Sequence, residues 1–221
     1  MKRIASTVNQ EATAPTSGGS EFNLWIEYIN RAVHEWSEAA DWEDLRKVYF
    51  PAITGTSQAT VPMALDFNKL AGPVKIHQET STESWDEYPE VLNEETGLYD
   101  STTKFIKMRG DISGGKNILF HPGTLASGAS VEVPYFSMPT SVTALTDVPV
   151  VPDSQFLIDR TISYVLEARS DARFQQMESK ARERLTNMME NANDEKFNSY
   201  TGPNYVPTSV ERKMHFRFGR D

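Results

Sequence analysis

The sequence predicts an α+β fold, in which an α-helical bundle frame carries an inserted antiparallel β subdomain and ends in an extended C-terminal arm. Two blocks near the two ends of the chain show the three- and four-residue apolar spacing of amphipathic helices. Short β-rich runs separated by glycine, proline and polar residues lie between them. These patterns divide the chain into five parts: a flexible leader (1–20), a first helical block (21–47), a β-rich insertion (48–147), closing helices (148–192) and an arm (193–221).

The composition limits the classes of protein and partner. The chain has 221 residues, 38% of them hydrophobic, which suits one large domain or one domain with a subdomain. It has no cysteine, which excludes disulfides and thiolate zinc sites. No run approaches the roughly 20 apolar residues of a membrane-spanning helix. The start lacks the apolar run of a signal peptide, so we expect synthesis inside the cell and no membrane partner. The formal charge of −9 argues against electrostatic wrapping of nucleic acid.

The first helix is predicted from Phe22 to about Ala40. Residues 5–20 before it are small, polar and rich in serine, threonine and glycine, which is typical of a flexible leader. Apolar residues then recur at helical steps, so one face of this helix is predicted to lie in the core: Phe22, Trp25, Ile26, Ile29, Val33 and Trp36.

The middle of the chain changes from helical to β spacing. Short runs rich in β-branched and aromatic residues predict a small antiparallel sheet or barrel-like subdomain. These runs are residues 47–53, 74–77, 104–109, 117–121 and 130–136. An extended connector is then predicted at residues 148–152, because proline fixes φ and disfavours helix in the residue before it.

An acidic segment interrupts these runs at residues 78–103, which contain no lysine or arginine. Its acids are Glu79, Glu83, Asp86, Glu87, Glu90, Glu94, Glu95 and Asp100. A run of like charges favours a solvated loop. Interleaved apolar residues such as Trp85, Tyr88 and Val91 leave a second interpretation open, in which the segment folds back on the sheet or against a neighbour. A calcium loop is disfavoured, because the alternating Asp/Asn ligands and central glycine of an EF-hand are absent.

Two closing helices are predicted after the connector. Asp153 can cap the first, which should end near Arg169, and Asp171 can cap the second. Glu178 and Arg182 are spaced to pair on the surface of the second helix. The methionine-containing stripe of that helix is interpreted as core and not as a ligand site: Phe174, Met177, Ala181, Leu185, Met188 and Met189.

The arm at residues 193–221 contains Pro203 and Pro207 and has no helical period. Its net charge is +1, whereas the rest of the chain carries −10. Near its end, apolar and polar residues alternate as in a half-buried strand, which predicts a docking segment for an exposed sheet edge. The candidate partner-binding residues are Arg212, Lys213, Met214, Phe216, Arg217 and Phe218. Pairing of this segment within its own subunit is the alternative.

One motif resembles a nucleotide site. Residues 110–116 (GDISGGK) have the glycine and lysine spacing of a phosphate-binding loop. Asn117, however, stands where a hydroxyl should bind magnesium, and residues 118–120 continue as a strand where the motif requires a helix. The segment is therefore predicted to be a hairpin turn.

No other catalytic, cofactor or metal site is predicted. The four histidines lie in four different elements and share no close spacing with carboxylates: His34, His77, His121 and His215. There is no GxSxG elbow, and the absence of cysteine excludes a thiol nucleophile.

Two stretches carry a resemblance to a known family. Residues 23–32 (NLWIEYINRA), followed by His34-Glu35-Trp36 and Asp41-Trp42, resemble the opening helix of tailed-phage head-to-tail adaptor proteins. Residues 131–136 (VEVPYF), the Pro152-Asp153 pair, residues 164–171 (YVLEARSD) and the amphipathic helix after them are similar to the closing part of that family. Together these stretches cover about half of the chain.

The resemblance implies a structural protein of the virion neck that is synthesised in the host cytoplasm, does no chemistry and needs no cofactor. It implies a ring beneath the portal vertex, commonly of twelve subunits, that contacts the portal protein and the next tail or neck protein. Genomic DNA would pass through the ring without specific binding, during packaging and ejection. The eight acids of residues 78–103 are candidate channel-facing groups, because acids would repel phosphate. A different neck or tail-completion ring protein, and a nucleotide- or sugar-processing enzyme, stay open as alternatives.

Overall fold

A computed structural model of the chain describes residues 1–9, 15–53, 60–77, 85–91, 102–110, 115–121, 123, 125, 127–144 and 146–200, with the backbone alone for 193–200. The chain forms two compact units. A helical unit contains Met1–Ala40 and Ser141–Asp221, and a β unit contains Asp41–Thr140. The predicted α+β class, with a β subdomain inserted into a helical frame, is confirmed. Whatever the predicted arm forms after Tyr200 lies outside the described residues.

The helical unit contains helices α1 (Lys2–Val8), α2 (Ser20–Ala39), α3 (Ser154–Ala168) and α4 (Phe174–Tyr200). The predicted apolar face of α2 is confirmed at Trp25 and Trp36, both of which are fully buried. Trp25 lies in a core cluster that draws buried side chains from α1, α2 and α3: Ile4, Ala5, Val8, Trp25, Ile162, Val165 and Leu166.

The prediction of a flexible leader was wrong for its first residues. Lys2–Val8 form a helix in which Ile4, Ala5 and Val8 are buried. A helix of seven residues is too short to be stable alone in water. It forms here because its apolar side pairs with the core of the helical unit, which local composition did not reveal.

The two closing helices are confirmed. The Asp153 carboxylate accepts hydrogen bonds from the backbone N–H groups of Gln155 and Phe156 and so caps α3. At the other end, Ser170 has a positive φ of 55° and the Asp171 N–H donates to the Leu166 carbonyl at 2.9 Å, which closes the helix in a left-handed turn.

Helix α4 continues beyond its predicted end. The arm was predicted to begin at Asn193, but the helical backbone extends to Tyr200. The sequence between these positions contains no glycine or proline, and the first breakers are Gly202 and Pro203.

The β unit contains eight strands in two antiparallel sheets. The strands are β1 (Arg46–Tyr49), β2 (Thr60–Pro62), β3 (Phe67–Leu70), β4 (Val74–His77), β5 (Asp86–Tyr88), β6 (Phe105–Gly110), β7 (Lys116–His121) and β8 (Ser130–Ser137). One sheet has the order β1-β8-β4-β5, with β3 also paired to β8, and the other has the order β2-β7-β6. A single core cluster contains side chains from both sheets, including Val61, Ile76, Ile106, Ile118 and Val133.

A proline lies inside the central strand β8, where proline is normally excluded because it cannot donate a ladder hydrogen bond. The sheet is divided at this position. β4 pairs with the first part of β8 and β3 pairs with its last part, and Pro134 lies opposite the short segment between them. The Pro134 carbonyl accepts a hydrogen bond from the Ala71 N–H at 2.9 Å, in the segment that joins β3 to β4. The Pro134 nitrogen, which carries no hydrogen, faces the same segment, so no ladder hydrogen bond is lost there. Pro134 therefore marks the point where two partner strands meet on one side of β8.

Candidate functional site

The phosphate-loop-like segment belongs to a hairpin, as predicted. β6 and β7 are antiparallel, with Gly110 opposite Lys116, and the residues between them at 111–114 lie outside the described part. The Lys116 ammonium donates to the Asn68 carbonyl at 2.9 Å and lies 5.0 Å from the centre of the Phe67 ring. Lys116 thus binds its own β unit, and β7 follows it where a phosphate site requires a helix.

Each of the three histidines in the described residues contacts a different neighbour. His34 lies 3.4 Å from Glu38, the His77 ring lies 5.6 Å from Trp85, and the His121 ring stacks on Phe105 at 4.3 Å. His215 lies outside the described residues. Within the ranges that the structure describes, no group of three or more histidines, cysteines and carboxylates could hold a metal ion.

The acidic segment folds back on the sheet at residues 85–91. β5 pairs with β4, Tyr88 and Val91 are buried, and Glu90 forms a bridge with Ile106 of β6. The second interpretation of this segment is therefore correct for these residues. The remaining acids, Glu79, Glu83, Glu94, Glu95 and Asp100, lie outside the described residues.

One acid of this segment has a counter-ion that sequence reasoning missed. The Lys104 ammonium lies 2.7 Å from the Asp86 carboxylate, and this hydrogen bond raises the pKa of Lys104. Glu87 and Glu90 are exposed and form no ion pair with the described residues. Asp86 is therefore neutralised locally, and only two of the three described acids keep an uncompensated charge.

A charged and aromatic cluster joins α2 to α3 in the helical unit. One oxygen of Glu35 accepts hydrogen bonds from Arg160 Nε at 2.7 Å and from the Tyr164 hydroxyl at 2.5 Å. The guanidinium groups of Arg31 and Arg160 lie 4.2 and 4.5 Å from the centre of the Tyr164 ring. Burial, and then the bond to Glu35, raise the pKa of Tyr164.

This cluster lines a groove of about 530 Å³, yet its geometry does not suit catalysis. One oxygen of the Glu35 carboxylate already accepts hydrogen bonds from two side chains, Arg160 and Tyr164, and Arg160 also forms an ion pair with it. The side chain of Arg160 is only 13% exposed. The cluster therefore acts as a structural link between α2 and α3, which lie 125 residues apart at this pair.

A second polar cluster fixes the loop between β2 and β3. Asp66 accepts hydrogen bonds from Lys47 at 2.6 Å and from the Tyr135 hydroxyl at 2.9 Å, and its backbone carbonyl accepts the Met138 N–H. The hydrogen bond from Lys47 lowers the pKa of Asp66 below its ordinary value. Burial, together with the bond to Asp66, raises the pKa of Tyr135 to about 12.

An open groove of about 510 Å³ crosses the outer face of the five-stranded sheet next to β1. We call it the β1 groove. Its apolar residues are Val48, Ala71, Gly72, Pro73 and Pro134, and its charged residues are Glu43, Arg46, Lys47, Lys75, Glu87 and Glu132. Val48 is 49% exposed, and Phe50, which follows β1, is 65% exposed. An exposed apolar strip with a charged rim is typical of a protein-binding surface and not of an enzyme pocket.

The predicted partner-binding residues of the arm, Arg212, Lys213, Met214, Phe216, Arg217 and Phe218, lie outside the described residues. Their role stays a prediction. Sequence reasoning also missed the β1 groove, because residues 47–53 gave no sign of which strand would lie at a sheet edge.

The comparison with protein families supports the adaptor interpretation. The model of the family described as SU10 adaptor protein matches residues 3–207, which is nearly the whole chain. The chain belongs to the SU10 adaptor protein family. The comparison with curated proteins found no match.

Membership confirms the resemblance to phage head-to-tail adaptors that the opening and closing stretches suggested. It makes this adaptor a bacteriophage structural protein of the virion neck and points to a non-enzymatic role. Of the helices that the structure describes, none is long and apolar enough to cross a bilayer.

Proposed function

We propose that this adaptor assembles with copies of itself into a ring that binds the portal protein on one side and the next tail or neck protein on the other. The match of the adaptor family over residues 3–207 carries this proposal. The ring extends the DNA channel toward the tail, and the resemblance to head-to-tail adaptors favours twelve subunits. The mechanism is geometric, because the candidate sites in the described residues are filled by internal contacts and not arranged for chemistry.

The arm serves as the docking element of this ring, toward the portal or a neighbouring subunit. Its alternating residues Met214, Phe216 and Phe218 suit a strand that adds to an exposed sheet edge. Even a weak contact of this kind becomes strong when it is repeated around a ring, because each bound arm raises the effective concentration of the others.

Purified adaptor, alone and with purified portal, tests the assembly. Size-exclusion chromatography with mass measurement should give a ring, or a ring on the portal, and negative-stain images should show a central channel. A chain that stays monomeric with portal present contradicts the proposal. Binding of ATP, GTP or a sugar nucleotide in the same preparation would favour the enzyme alternative.

Deletion of residues 210–221 tests the arm. The shortened protein should keep its far-UV circular dichroism, because the described core does not include these residues. It should lose stable attachment to portal-containing heads. Full attachment would remove the docking role, and Tyr205→Ser, which changes an arm aromatic outside the alternating stretch, is the matched control.

We further propose that acids of residues 78–103 face the channel and repel DNA. Glu90, which is exposed and forms no ion pair with described residues, is neutralised together with Glu94, because Glu87 borders the β1 groove. Glu90→Gln/Glu94→Gln rings should retain DNA at low ionic strength, and this retention should fade as salt rises. Glu183→Gln/Glu190→Gln removes the same charge from exposed positions of α4. Equal retention by wild type and the Glu90/Glu94 variant rules out the channel assignment.

A further inference from the structure

Strand β1 lies at one end of the five-stranded sheet in the part of the chain that the structure describes. Among the described strands it pairs only with β8, with Val48 opposite Pro134. The Pro134 carbonyl is used by Ala71 on the other side of β8, so the main chain of Pro134 faces away from β1. In an antiparallel ladder, two opposite residues point their N–H and C=O groups either both toward each other or both away. The N–H and C=O of Val48 therefore point outward, where a further strand could pair with them.

The side chains beside this edge are apolar and exposed. Val48 and Phe50 are 49% and 65% exposed, and Val48 continues into the apolar floor of the β1 groove at Ala71, Pro73 and Pro134. Exposed edges that carry apolar residues are pairing templates, which proteins otherwise block with charge or cover with another element. The β1 edge therefore has both the main-chain groups and the apolar surface that an added strand requires.

The charges of the β1 groove indicate the charge of its partner. Arg46 pairs with Glu43 at 3.3 Å, and Lys47 pairs with Asp66 at 2.6 Å. Three charged residues of the rim form no ion pair with the described residues: Lys75, Glu87 and Glu132. Lys75 lies between the two acids in the strand register. The uncompensated charge of the rim is thus negative, which favours a basic partner.

We propose that residues 212–218 of a neighbouring copy add as a strand to β1 and fill the β1 groove. This inference rests on the proposed ring and names the surface that receives the arm. The segment has apolar residues at alternate positions, Met214, Phe216 and Phe218, so all three reach one face of an added strand. Its charged residues, Arg212, Lys213 and Arg217, are all basic and complement the rim.

The length of the chain sets the reach of the arm. Helix α4 ends at Tyr200, and residues 201–211 separate it from the docking segment. Eleven extended residues span at most about 40 Å, so this docking requires the β1 edge of the neighbouring copy to lie within that distance of Tyr200.

Cysteine pairs in the otherwise cysteine-free chain test the proposal. Full-length Val48→Cys is mixed with full-length single variants at Met214, His215, Phe216, Arg217 or Phe218, each changed to cysteine and carrying a different tag. Opposite residues of paired strands lie close enough for a disulfide. Because successive side chains alternate between faces, cross-linking at 214, 216 and 218 should exceed cross-linking at 215 and 217 by about fivefold or more.

Leu65→Cys replaces Val48→Cys as the matched control, because Leu65 is 99% exposed but lies in no strand. Equal cross-linking to Leu65→Cys, or no alternation along the arm, overturns the proposal. The proposal is also overturned if a diluted Val48→Cys/Phe216→Cys double variant forms disulfides only within single chains, because the arm would then bind its own β1 strand. Capture of wild-type adaptor by purified portal is measured in parallel. Capture without the alternating pattern removes the β1 docking alone, and the pattern without capture removes the portal-binding function alone.

Discussion

Replacing Trp25 by alanine tests the core of the helical unit most directly. The Trp25 side chain is fully buried in the cluster that joins α1, α2 and α3. A buried tryptophan removes about 150–250 Å² from water, and at about 25 cal/mol per Å² this is worth roughly 4–6 kcal/mol. Alanine keeps a small part of this and leaves a cavity, so we expect Trp25→Ala to lower the free energy of unfolding by about 3–5 kcal/mol.

The loss is measured as the shift of the urea midpoint and of the melting temperature, both followed by far-UV circular dichroism. For a chain of this size, a loss of about 3–5 kcal/mol corresponds to roughly 6–20 °C. Leu24→Ala is the matched control, because Leu24 is the neighbouring residue of α2 and is 42% exposed. It should change stability by less than about 1 kcal/mol. If Trp25→Ala unfolds at the same midpoint as Leu24→Ala, the packing described for α2 is refuted.

Three further changes probe the polar contacts. Lys116→Ala should lower stability by at most about 1 kcal/mol and leave ring assembly unchanged, because its hydrogen bond is exposed; a larger loss in urea unfolding would contradict this. Glu35→Ala should lower the free energy of unfolding by about 2–4 kcal/mol, because it removes the hydrogen-bond acceptor of the mostly buried Arg160. The control Glu38→Ala, at an exposed position of the same helix, should lower it by less than about 0.5 kcal/mol. Equal losses in the two variants would show that the cluster does not link α2 to α3. The pKa of Asp66 lies below its ordinary 3.8 in the folded protein, so the stability that this carboxylate contributes is present above about pH 4 and is lost as the pH falls through the lowered pKa. Asp66→Asn should therefore reduce the fall in the free energy of unfolding between neutral and acid pH. An unchanged dependence of that free energy on pH would refute the role of this carboxylate.

The sequence predicted the elements whose signals are local. The apolar stripe of α2 and the aspartate that caps α3 were correct, because a helix face and a cap depend on residues within a few positions of each other. The five predicted β runs overlap β1, β4, β6, β7 and β8. Each of these runs contains β-branched or aromatic residues in enough number to show a strand without its partners.

The missed strands are short and depend on distant partners. β2 contains Pro62, β3 contains Asn68, and β5 contains two acids, all of which disfavour strand structure locally. They form because each pairs with a stronger strand, as β5 does with β4. Arg46 shows the same effect. It was placed in the first helical block, yet it pairs with Phe136 of β8.

The side-chain clusters of the candidate sites could be predicted from the sequence less well than the helices and strands. Glu35 was visible in the stretch that resembles the opening helix of adaptors, but its partners Arg160 and Tyr164 lie 125 and 129 residues later. Neither spacing nor composition connects them. Lys104 was likewise outside the acidic segment that its ammonium partly neutralises.

The β1 edge shows why recognition surfaces escape sequence reasoning even when the fold does not. Residues 47–53 were predicted as a strand, and nothing in them distinguishes a strand at the edge from one in the middle of a sheet. The edge is created by the order of the sheet, in which β1 pairs with a distant strand: Arg46 lies opposite Phe136, ninety positions later in the chain. In this sheet the Pro134 carbonyl binds Ala71 and so points away from β1. Because Val48 lies opposite Pro134, the N–H and C=O of Val48 point away from β8. Local sequence stretches were enough to suggest the family of this chain, whereas the surface proposed for its assembly depends on which strand lies at the end of the sheet.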